Sequence, residues 1–568
     1  MQQVRALATI KSAQDPGVTL GVATGTLEAI GDQLQVKADV NKSMHQKVQI
    51  CGDVQTEHVL NRQCLGINKV NHILRVHGAV LKQEQTVIAK FDQDQRDSLD
   101  RLFPGLTEEG HQQAVLGAAV GGLGWRAAAS VALSANLSAL VLARPKIAAM
   151  AHDMETAGLL PEGLLETRLA AKLLSVKAAY MCELDQQEQD KAEDFLAKAA
   201  LRAEEVWVAL SRGGGRAIAA PRAGAEYVGH GESGTMPLND AVDGGEGDPD
   251  AGGRALTTSH LQGELSRLID CTQLRSLEDR LRLQCQWSQL TRLKELRHKE
   301  TSHAWLWHLN PLQGSALAEV DYVAGVQKRL GARILLHECN CRLCGKPLDP
   351  CVNHSEICAI GEATRGHYAV VHAVVDGLRV ADPAVTTEPR GLTSTQARPA
   401  DIFTSAAVPG RSAALDVCIA SPDAAAAGAD AVESAFKRKL IHYRDVIPEL
   451  HTAGIAFRPL IWSADGRPHP AATRTLKYAA DVAARTRGGA TAGAGSMARW
   501  KHEITVAITR RRAAMLRAVL PKTMAKELWM LTGAPDADGF GADGRLPAIE
   551  EDPPDDEGQS SQLEQQED

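Results

Sequence analysis

RPADIFTSAAVPGRSAALDVCIAS, from Arg398 to Ser421, is the stretch that decides the fold of the C-terminal half. It holds two short apolar runs, and the pattern predicts strands at Arg398–Ser405 and Ala413–Ser421. The Pro409–Gly410 pair between the runs is a strong turn signal. The stretch therefore predicts a β-hairpin.

The flanking sequence extends this hairpin into a mixed α/β unit. Apolar periodicity predicts a helix at about 366–378 and a strand around Thr386–Gly391 before the hairpin. A helix at about 430–451 and a strand at Ala456–Ser463 follow it. The predicted order is α-β-β-β-α-β.

One aspartate interrupts each apolar run of the hairpin. A carboxylate is costly to bury unless it is paired or binds a metal. Asp401 and Asp416, with Glu388 on the preceding strand, would form a Mg²⁺ site of hard oxygen ligands. The alternative is that both aspartates cap turns at strand ends.

Two polar residues on the following helix bear on the same site. Lys439 and Tyr443 are four residues apart and share a helix face. Lys439 could stabilise a phosphate, and Tyr443 could contact DNA or support the lysine. The alternative is a solvated charged face, on which Glu433 pairs with Lys437.

A cysteine cluster precedes the α/β unit. Five of the 11 cysteines lie in CNCRLCGKPLDPCVNHSEIC, from Cys339 to Cys358. Cys-x2-Cys followed by His-x3-Cys suits tetrahedral, structural Zn²⁺. The predicted ligands are Cys341, Cys344, His354 and Cys358. Cys339 or Cys351 could substitute as a ligand, and buried free thiols are the alternative.

Composition predicts a globular chain of several domains with a charged tail. The 568 residues are 44% hydrophobic, and the net charge is −8. From Pro535 to Asp568 there are 12 acidic residues and one arginine, so the remainder is mildly basic and compatible with nucleic-acid binding. The N-terminal residues lack a secretory signal. The apolar run Ala127–Ala143 is shorter than a membrane span and predicts a buried helix, so no membrane association is expected.

The chain divides into seven predicted segments. They are a helical region at 1–210, a flexible linker at 211–258, a helical region at 259–336, the zinc knuckle at 337–362, the α/β domain at 363–470, a basic helical segment at 471–531 and a disordered acidic tail at 532–568. The basic segment could follow nucleic-acid phosphates or be a solvated face. Its candidate phosphate contacts are Arg510, Arg511, Arg512 and Arg517.

The region from Cys341 to about Gly466 resembles the zinc knuckle and restriction-enzyme-like endonuclease of non-LTR retrotransposon proteins. The matching pieces are CRLCG, HSEIC, RGH, EPRG, RPADI, ALDV and KLIHY, in the family's order. The resemblance implies a PD-(D/E)xK nuclease core. It also implies Asp401 and Asp416 as catalytic acids, with Glu388 on the earlier strand.

The catalytic lysine is displaced in this reading. The general nuclease motif has lysine two residues after the second acid, where this chain has Cys418. The retroelement branch takes its lysine from the next helix, which the resemblance maps to Lys439, with Tyr443 beside it.

The N-terminal region resembles the thumb and connection of the reverse transcriptases of these elements. The matching pieces are TLGVATG, LGINKVNHILRVHG and GGLGWRAAASVALSANLSAL. The paired aspartates of a polymerase palm are not found, because FDQDQRD lacks flanking apolar strands. We therefore expect no polymerase activity from this chain, which resembles the C-terminal portion of such a protein.

Together these features predict a Mg²⁺-dependent endonuclease that nicks target DNA in the nucleus, with element RNA as a further possible partner. The first alternative is a zinc-containing nucleic-acid-binding protein that has lost catalysis. The second is a cellular nuclease with the same core, against which the thumb-like N-terminal region argues.

Overall fold

The computed structural model describes residues 17–19, 22–24, 26–83, 86–211, 258–307, 317–335, 337–394, 398–424, 427–487 and 490–522. The interior of the predicted linker and the whole predicted acidic tail lie outside these residues. Within them the chain is mostly helical, with one four-stranded mixed sheet and a two-stranded ribbon.

The N-terminal half is helical apart from the ribbon, which pairs β1 (Gly17–Thr19) with β2 (Val22–Thr24). The helices are α1 (Leu27–Val48), α2 (Val54–Gln63), α3 (Asn71–Gln83), α4 (Thr86–Leu102), α5 (Glu108–Val115), α6 (Ala128–Thr156), α7 (Leu164–Cys182), α8 (Gln186–Ser211), α9 (Thr258–Leu283), α10 (Trp287–Leu296) and α11 (Glu319–Leu330).

Helix α6 contains the apolar run for which a buried helix was predicted. Its N-terminal part is buried, with Val131, Leu133 and Leu137 at most 4% exposed. By length and composition it is the one described helix that could cross a membrane, but 56% of its most apolar window is buried inside the protein. The prediction of a buried helix is confirmed.

The C-terminal half carries the mixed sheet. Its elements are α12 (Ser355–Cys358), α13 (Ile360–Leu378), β3 (Thr386–Thr387), β4 (Ile402–Val408), β5 (Arg411–Ala420), α14 (Ala431–His442), α15 (Ile447–Thr452), β6 (Ala456–Ser463), α16 (Pro470–Arg487) and α17 (Ala490–Val519). The strand order is β3-β4-β5-β6. The first two pairings are antiparallel and β5 pairs with β6 in parallel, so α14 and α15 form the crossover.

The predicted hairpin is present, with its turn at the Pro409–Gly410 pair. Val408 pairs with Arg411 across the turn, and Gly410 has a φ of 68°, which glycine adopts without strain. The observed order differs from the predicted α-β-β-β-α-β order by one additional helix, α15, before the last strand.

Two predicted elements around the hairpin are wrong in extent. The helix predicted at about 430–451 is two helices, since Pro448 has no N–H to donate and its ring would clash with a carbonyl one turn earlier. The strand predicted at Thr386–Gly391 ends at Thr387. Glu388 has a φ of 46°, and Pro389 cannot donate to a strand neighbour.

Strand β5 presents different chemistry on its two faces. Leu415 and Val417 belong to the large apolar core that the sheet forms with α13, α16 and α17. Successive side chains of a strand point to opposite faces. Asp416 therefore lies on the other face, toward α14 and α15, and this alternation places a carboxylate beneath the crossover helices.

Helix α17 packs closely along α13 because two glycines of α13 leave room for large side chains. A Cβ on Gly366 would lie 2.2 Å from the Arg511 side chain. A Cβ on Gly377 would lie 2.8 Å from the indole of Trp500. Any side chain at either position would force the two helices apart.

A buried ion-pair cluster joins α17 to the short helix α12 and to the loop after β6. Arg512 on α17 donates from Nε to Glu356 Oε1 at 2.6 Å and from Nη1 to Asp465. Burial acts to raise the pKa of Glu356, but the charges of Arg512 and Lys328 prevail and hold that pKa at about 2. Glu356 also accepts a hydrogen bond from Ser421, just past the end of β5.

We expect Arg512→Ala to destabilise the protein by about 3–5 kcal/mol, because it leaves Glu356 and Asp465 buried without their cation. Thermal unfolding followed by circular dichroism measures the change in Tm. Arg499→Ala on the same helix is the matched control, since Arg499 is exposed and pairs with Glu503 one turn away, a contact worth less than about 1 kcal/mol.

The combined variant Arg512→Met, Glu356→Gln and Asp465→Asn should recover part of the lost stability, because it removes the three charges that pair with one another, while Lys328 keeps its carbonyl acceptors. Equal Tm values for the Arg512→Ala and Arg499→Ala variants would contradict the importance of this cluster.

Candidate metal centre and carboxylate site

The first half of the cysteine cluster is a tight turn that brings two thiols together. The Gly345 N–H donates to the Cys341 carbonyl at 2.8 Å, and the Cys341 N–H donates to the Lys346 carbonyl at 2.7 Å. Gly345 has a φ of 73°, a conformation that favours glycine. The Leu343 N–H also lies 3.4 Å from the Cys341 Sγ, within hydrogen-bond reach of a thiolate.

The second half is the helical turn α12 with the residue before it. The Cys358 N–H donates to the His354 carbonyl at 3.2 Å, so the two side chains are one turn apart on the same side. The Asp349 carboxylate accepts the His354 N–H at 3.3 Å and ties the start of this turn to the preceding loop.

The four predicted zinc ligands come together. Their ligand atoms all lie within 4.8 Å of one another. The Cys341 and Cys358 Sγ atoms are 3.7 Å apart, and Cys344 Sγ is 3.1 Å from His354 Nε2. Tetrahedral Zn²⁺ with Zn–S bonds of about 2.3 Å separates two sulfurs by about 3.8 Å. The group could therefore hold a zinc ion, and four protein ligands leave no position for a reactive water.

The two remaining cysteines of the stretch do not join this group. Among the residues that the structure describes, the metal-ligating group holds Cys341, Cys344, His354 and Cys358 alone. The Cys351 Sγ contacts the Gly331 carbonyl at 3.6 Å instead. The geometry thus favours the ligand set predicted first over either substitution.

Two thiols of the cluster have pKa values shifted in opposite directions. A hydrogen bond from the Lys346 backbone, with smaller contributions from neighbouring thiols, lowers the pKa of Cys344 to about 7. Burial, followed by the nearby thiols, raises the pKa of Cys358 to about 12. Thiolates this close repel one another, and a bound cation relieves that repulsion.

Asp416 is the centre of the second site. It is 3% exposed and faces α14. The Lys439 Nζ lies 3.1 Å from its Oδ1 and 3.0 Å from its Oδ2. The Tyr443 hydroxyl donates a longer hydrogen bond to Oδ1, at 3.4 Å. Burial raises the pKa of Asp416 although the Lys439 charge opposes it, and burial also raises the pKa of Tyr443 to about 12.

Asp401 lies immediately before β4 and faces the same region. Its N–H donates to the Leu415 carbonyl at 3.0 Å, and its Oδ2 accepts the Val417 N–H at 2.7 Å. The Asp401 charge contributes to raising the pKa of Asp416, so the two carboxylates lie within electrostatic range. They are hard oxygen donors, and both oxygens of Asp416 lie beside the ammonium group of Lys439. This donor set fits a hard divalent cation such as Mg²⁺.

Glu388 joins this site through its backbone rather than through its carboxylate. Its N–H donates to the Asp401 carbonyl at 2.8 Å. Its side chain is 45% exposed and lies 3.4 Å from Arg398 Nη1, and it contributes, after burial, to raising the pKa of the nearby Tyr368. Glu388 follows the strand on which it was predicted, β3. The described neighbours of its carboxylate are Arg398 and Tyr368 rather than Asp401 or Asp416.

The predicted row of phosphate-binding arginines on α17 is not a surface feature. Arg511 and Arg512 are at most 8% exposed. Arg511 packs on α13 with Nε 3.4 Å from the Ala363 carbonyl, and Arg517 pairs with Asp321 of α11. Arg510 is partly buried. Surface phosphate contacts are therefore wrong for the buried Arg511 and Arg512, and they stay a prediction for the partly exposed Arg510 and Arg517.

One residue beside the carboxylates was missed as a site residue. His367 lies on α13, and its Nε2 is 3.3 Å from Asp401 Oδ1. The sequence analysis included His367 in the matching piece RGH but gave it no role, because spacing alone did not connect it to an aspartate 34 residues later.

Comparison with protein-family models and with curated proteins finds no match for this chain. The chemistry available to the two sites therefore follows from their own geometry. The cysteine cluster suits closed, tetrahedral zinc. The carboxylates, with a lysine against one of them, suit chemistry on an anionic substrate.

We expect the purified protein to bind one Zn²⁺ per chain, which is lost in Cys344→Ala because three protein ligands hold the ion far less tightly. Inductively coupled plasma mass spectrometry of the metal content measures the stoichiometry. Cys351→Ala is the matched control within the same loop and should retain the ion. Zinc loss in Cys351→Ala but not in Cys344→Ala would contradict the ligand set.

Proposed function

We propose that this chain is the C-terminal portion of a non-LTR retrotransposon reverse transcriptase protein and that its α/β unit is a Mg²⁺-dependent endonuclease that nicks target DNA. The observation that carries the proposal is the contact of Lys439 with Asp416, at 3.0 Å and 3.1 Å from the two carboxylate oxygens. A solvated lysine on a charged face would not reach a buried carboxylate on a central strand.

The surroundings of this pair support the same reading. Lys437, two residues earlier on α14, pairs with Glu433 on the helix surface. This is the pair that the alternative of a solvated charged face predicted. The Lys439 side chain instead is only 29% exposed and extends from α14 to Asp416 on β5. The two lysines therefore have different environments, and the difference favours a site at Lys439.

In the proposed reaction, Asp401 and Asp416 hold the cation. When bound, Mg²⁺ supplies Lewis-acid activation of water and stabilisation of the leaving 3′ oxygen. Lys439 neutralises charge that develops on the phosphate, which is where a preorganised cation is most effective. Tyr443 donates a hydrogen bond to Asp416 Oδ1 at 3.4 Å and would place its hydroxyl near the substrate.

The remaining parts of the proposal concern partners and place. The zinc knuckle contributes affinity for DNA or element RNA rather than sequence choice. The nick would supply a 3′-OH primer for reverse transcription, and the protein would act in the nucleus. The alternative, a nucleic-acid-binding protein that has lost catalysis, would share the zinc site and lack cleavage.

We expect Lys439→Met to lower the rate of plasmid nicking by about 10²–10³-fold, because it removes the cation that faces the phosphate. Conversion of supercoiled to open-circular plasmid in Mg²⁺ measures that rate. Lys437→Met is the matched control, since it removes a lysine from the same helix that is exposed and pairs with Glu433. Asp416→Asn should also abolish nicking.

Equal nicking by the wild type, Lys439→Met and Asp416→Asn would overturn the assignment. DNA binding by gel shift without nicking in the wild type would favour the non-catalytic alternative.

A further inference from the structure

His367 lies beside the two carboxylates and contacts one of them, Asp401. It lies in the first half of α13, and its side chain is 26% exposed. Its Nε2 lies 3.3 Å from Asp401 Oδ1. Because an ionised carboxylate only accepts hydrogen bonds, the imidazole N–H donates in this contact.

The two carboxylates are held in different ways. Asp416 has a cationic partner, Lys439, against both of its oxygens. Asp401 has the Val417 backbone N–H on Oδ2 at 2.7 Å and His367 on Oδ1.

The two bonds together fix the plane of the Asp401 carboxylate. The backbone bond alone leaves that group free to rotate about its Cβ–Cγ bond. A donor on the other oxygen removes this freedom and leaves the remaining lone pairs pointing in one direction. Groups that hydrogen-bond to metal ligands in this way typically change metal affinity by about 10–100-fold.

The backbone and the ring of His367 are both restrained by neighbouring residues. The neighbouring Gly366 lies against Arg511 of α17, so α13 cannot slide along its neighbour. The ring also contacts Tyr368 edge to face, with centroids 5.5 Å apart. The backbone and ring are therefore both restrained, as a positioning residue requires.

We propose that His367 is a positioning residue that orients the Asp401 carboxylate toward a divalent cation shared with Asp416. The inference rests on the metal-binding part of the proposed function and names the residue that prepares the site. It differs from that function in a testable way, because it concerns cation affinity rather than DNA cleavage.

The test is Mn²⁺ binding to the full, zinc-loaded chain, measured by electron paramagnetic resonance of the free ion. Mn²⁺ serves as the probe because it takes the same oxygen ligands as Mg²⁺. Asp401→Asn defines the signal from acidic residues elsewhere, including those between Pro535 and Asp568. Plasmid nicking is measured in parallel as a function of Mg²⁺ concentration.

His367→Phe should weaken Mn²⁺ binding about tenfold or more, since it keeps the ring and removes the donor. His367→Gln retains a terminal N–H and should remain within about threefold of the wild type, because the hydrogen bond to Asp401 is preserved. His372→Phe is the matched control, an exposed histidine on the same helix. If the wild type nicks, the Mg²⁺ requirement of His367→Phe should rise while its rate at saturation is largely kept.

Three outcomes would overturn the inference: wild-type Mn²⁺ binding no stronger than that of Asp401→Asn, unchanged binding in His367→Phe, or equal loss in His367→Phe and His367→Gln. Binding that depends on His367 in a protein that does not nick DNA would overturn the endonuclease proposal and leave the role of His367 standing.

Discussion

The buried contact of Arg512 with Glu356 and Asp465 is the constraint on which the C-terminal half depends. These residues come from the long C-terminal helix, the end of the zinc-ligand stretch and the loop after the last strand. A guanidinium with a side chain only 9% exposed is tolerated because two carboxylates of still lower exposure meet it. If any of the three elements moved away, at least one of these two buried ion pairs would be broken.

This constraint links the candidate metal centre to the candidate carboxylate site. Glu356 lies two residues before the zinc ligand Cys358 and also accepts a hydrogen bond from Ser421, at the end of the strand that carries Asp416. The knuckle backbone is held from the other side, where the Arg342 N–H donates to the Val519 carbonyl at 2.8 Å. The candidate zinc site and strand β5 are therefore parts of one packed structure.

Local patterns predicted the parts of this structure that depend on neighbours in sequence. The hairpin followed from two apolar runs and a Pro-Gly turn, and the zinc ligands followed from Cys-x2-Cys and His-x3-Cys spacing. Arg512 could not be assigned in this way, because its partners lie 156 and 47 residues earlier. A basic helix looks the same in sequence whether its arginines face phosphates or buried carboxylates. The contacts of Glu388 could not be predicted either. Its own positive φ ends the strand, and its side chain lies beside Arg398.

The position of the lysine at the carboxylate site has a physical basis in the strand geometry. Residues two apart on a strand share a face, so a lysine in place of Cys418 would also lie beside Asp416. Cys418, however, packs beneath α14 against a cluster that includes Val432, Ala435 and Ile461. A long charged chain there would have to cross this apolar layer. Helix α14 instead supplies Lys439 from above, one turn beyond the layer, where its stem remains partly exposed and its ammonium group reaches the carboxylate. The small Cys418 side chain lets α14 pack close to β5. The cation beside Asp416 can then come from α14, as Lys439.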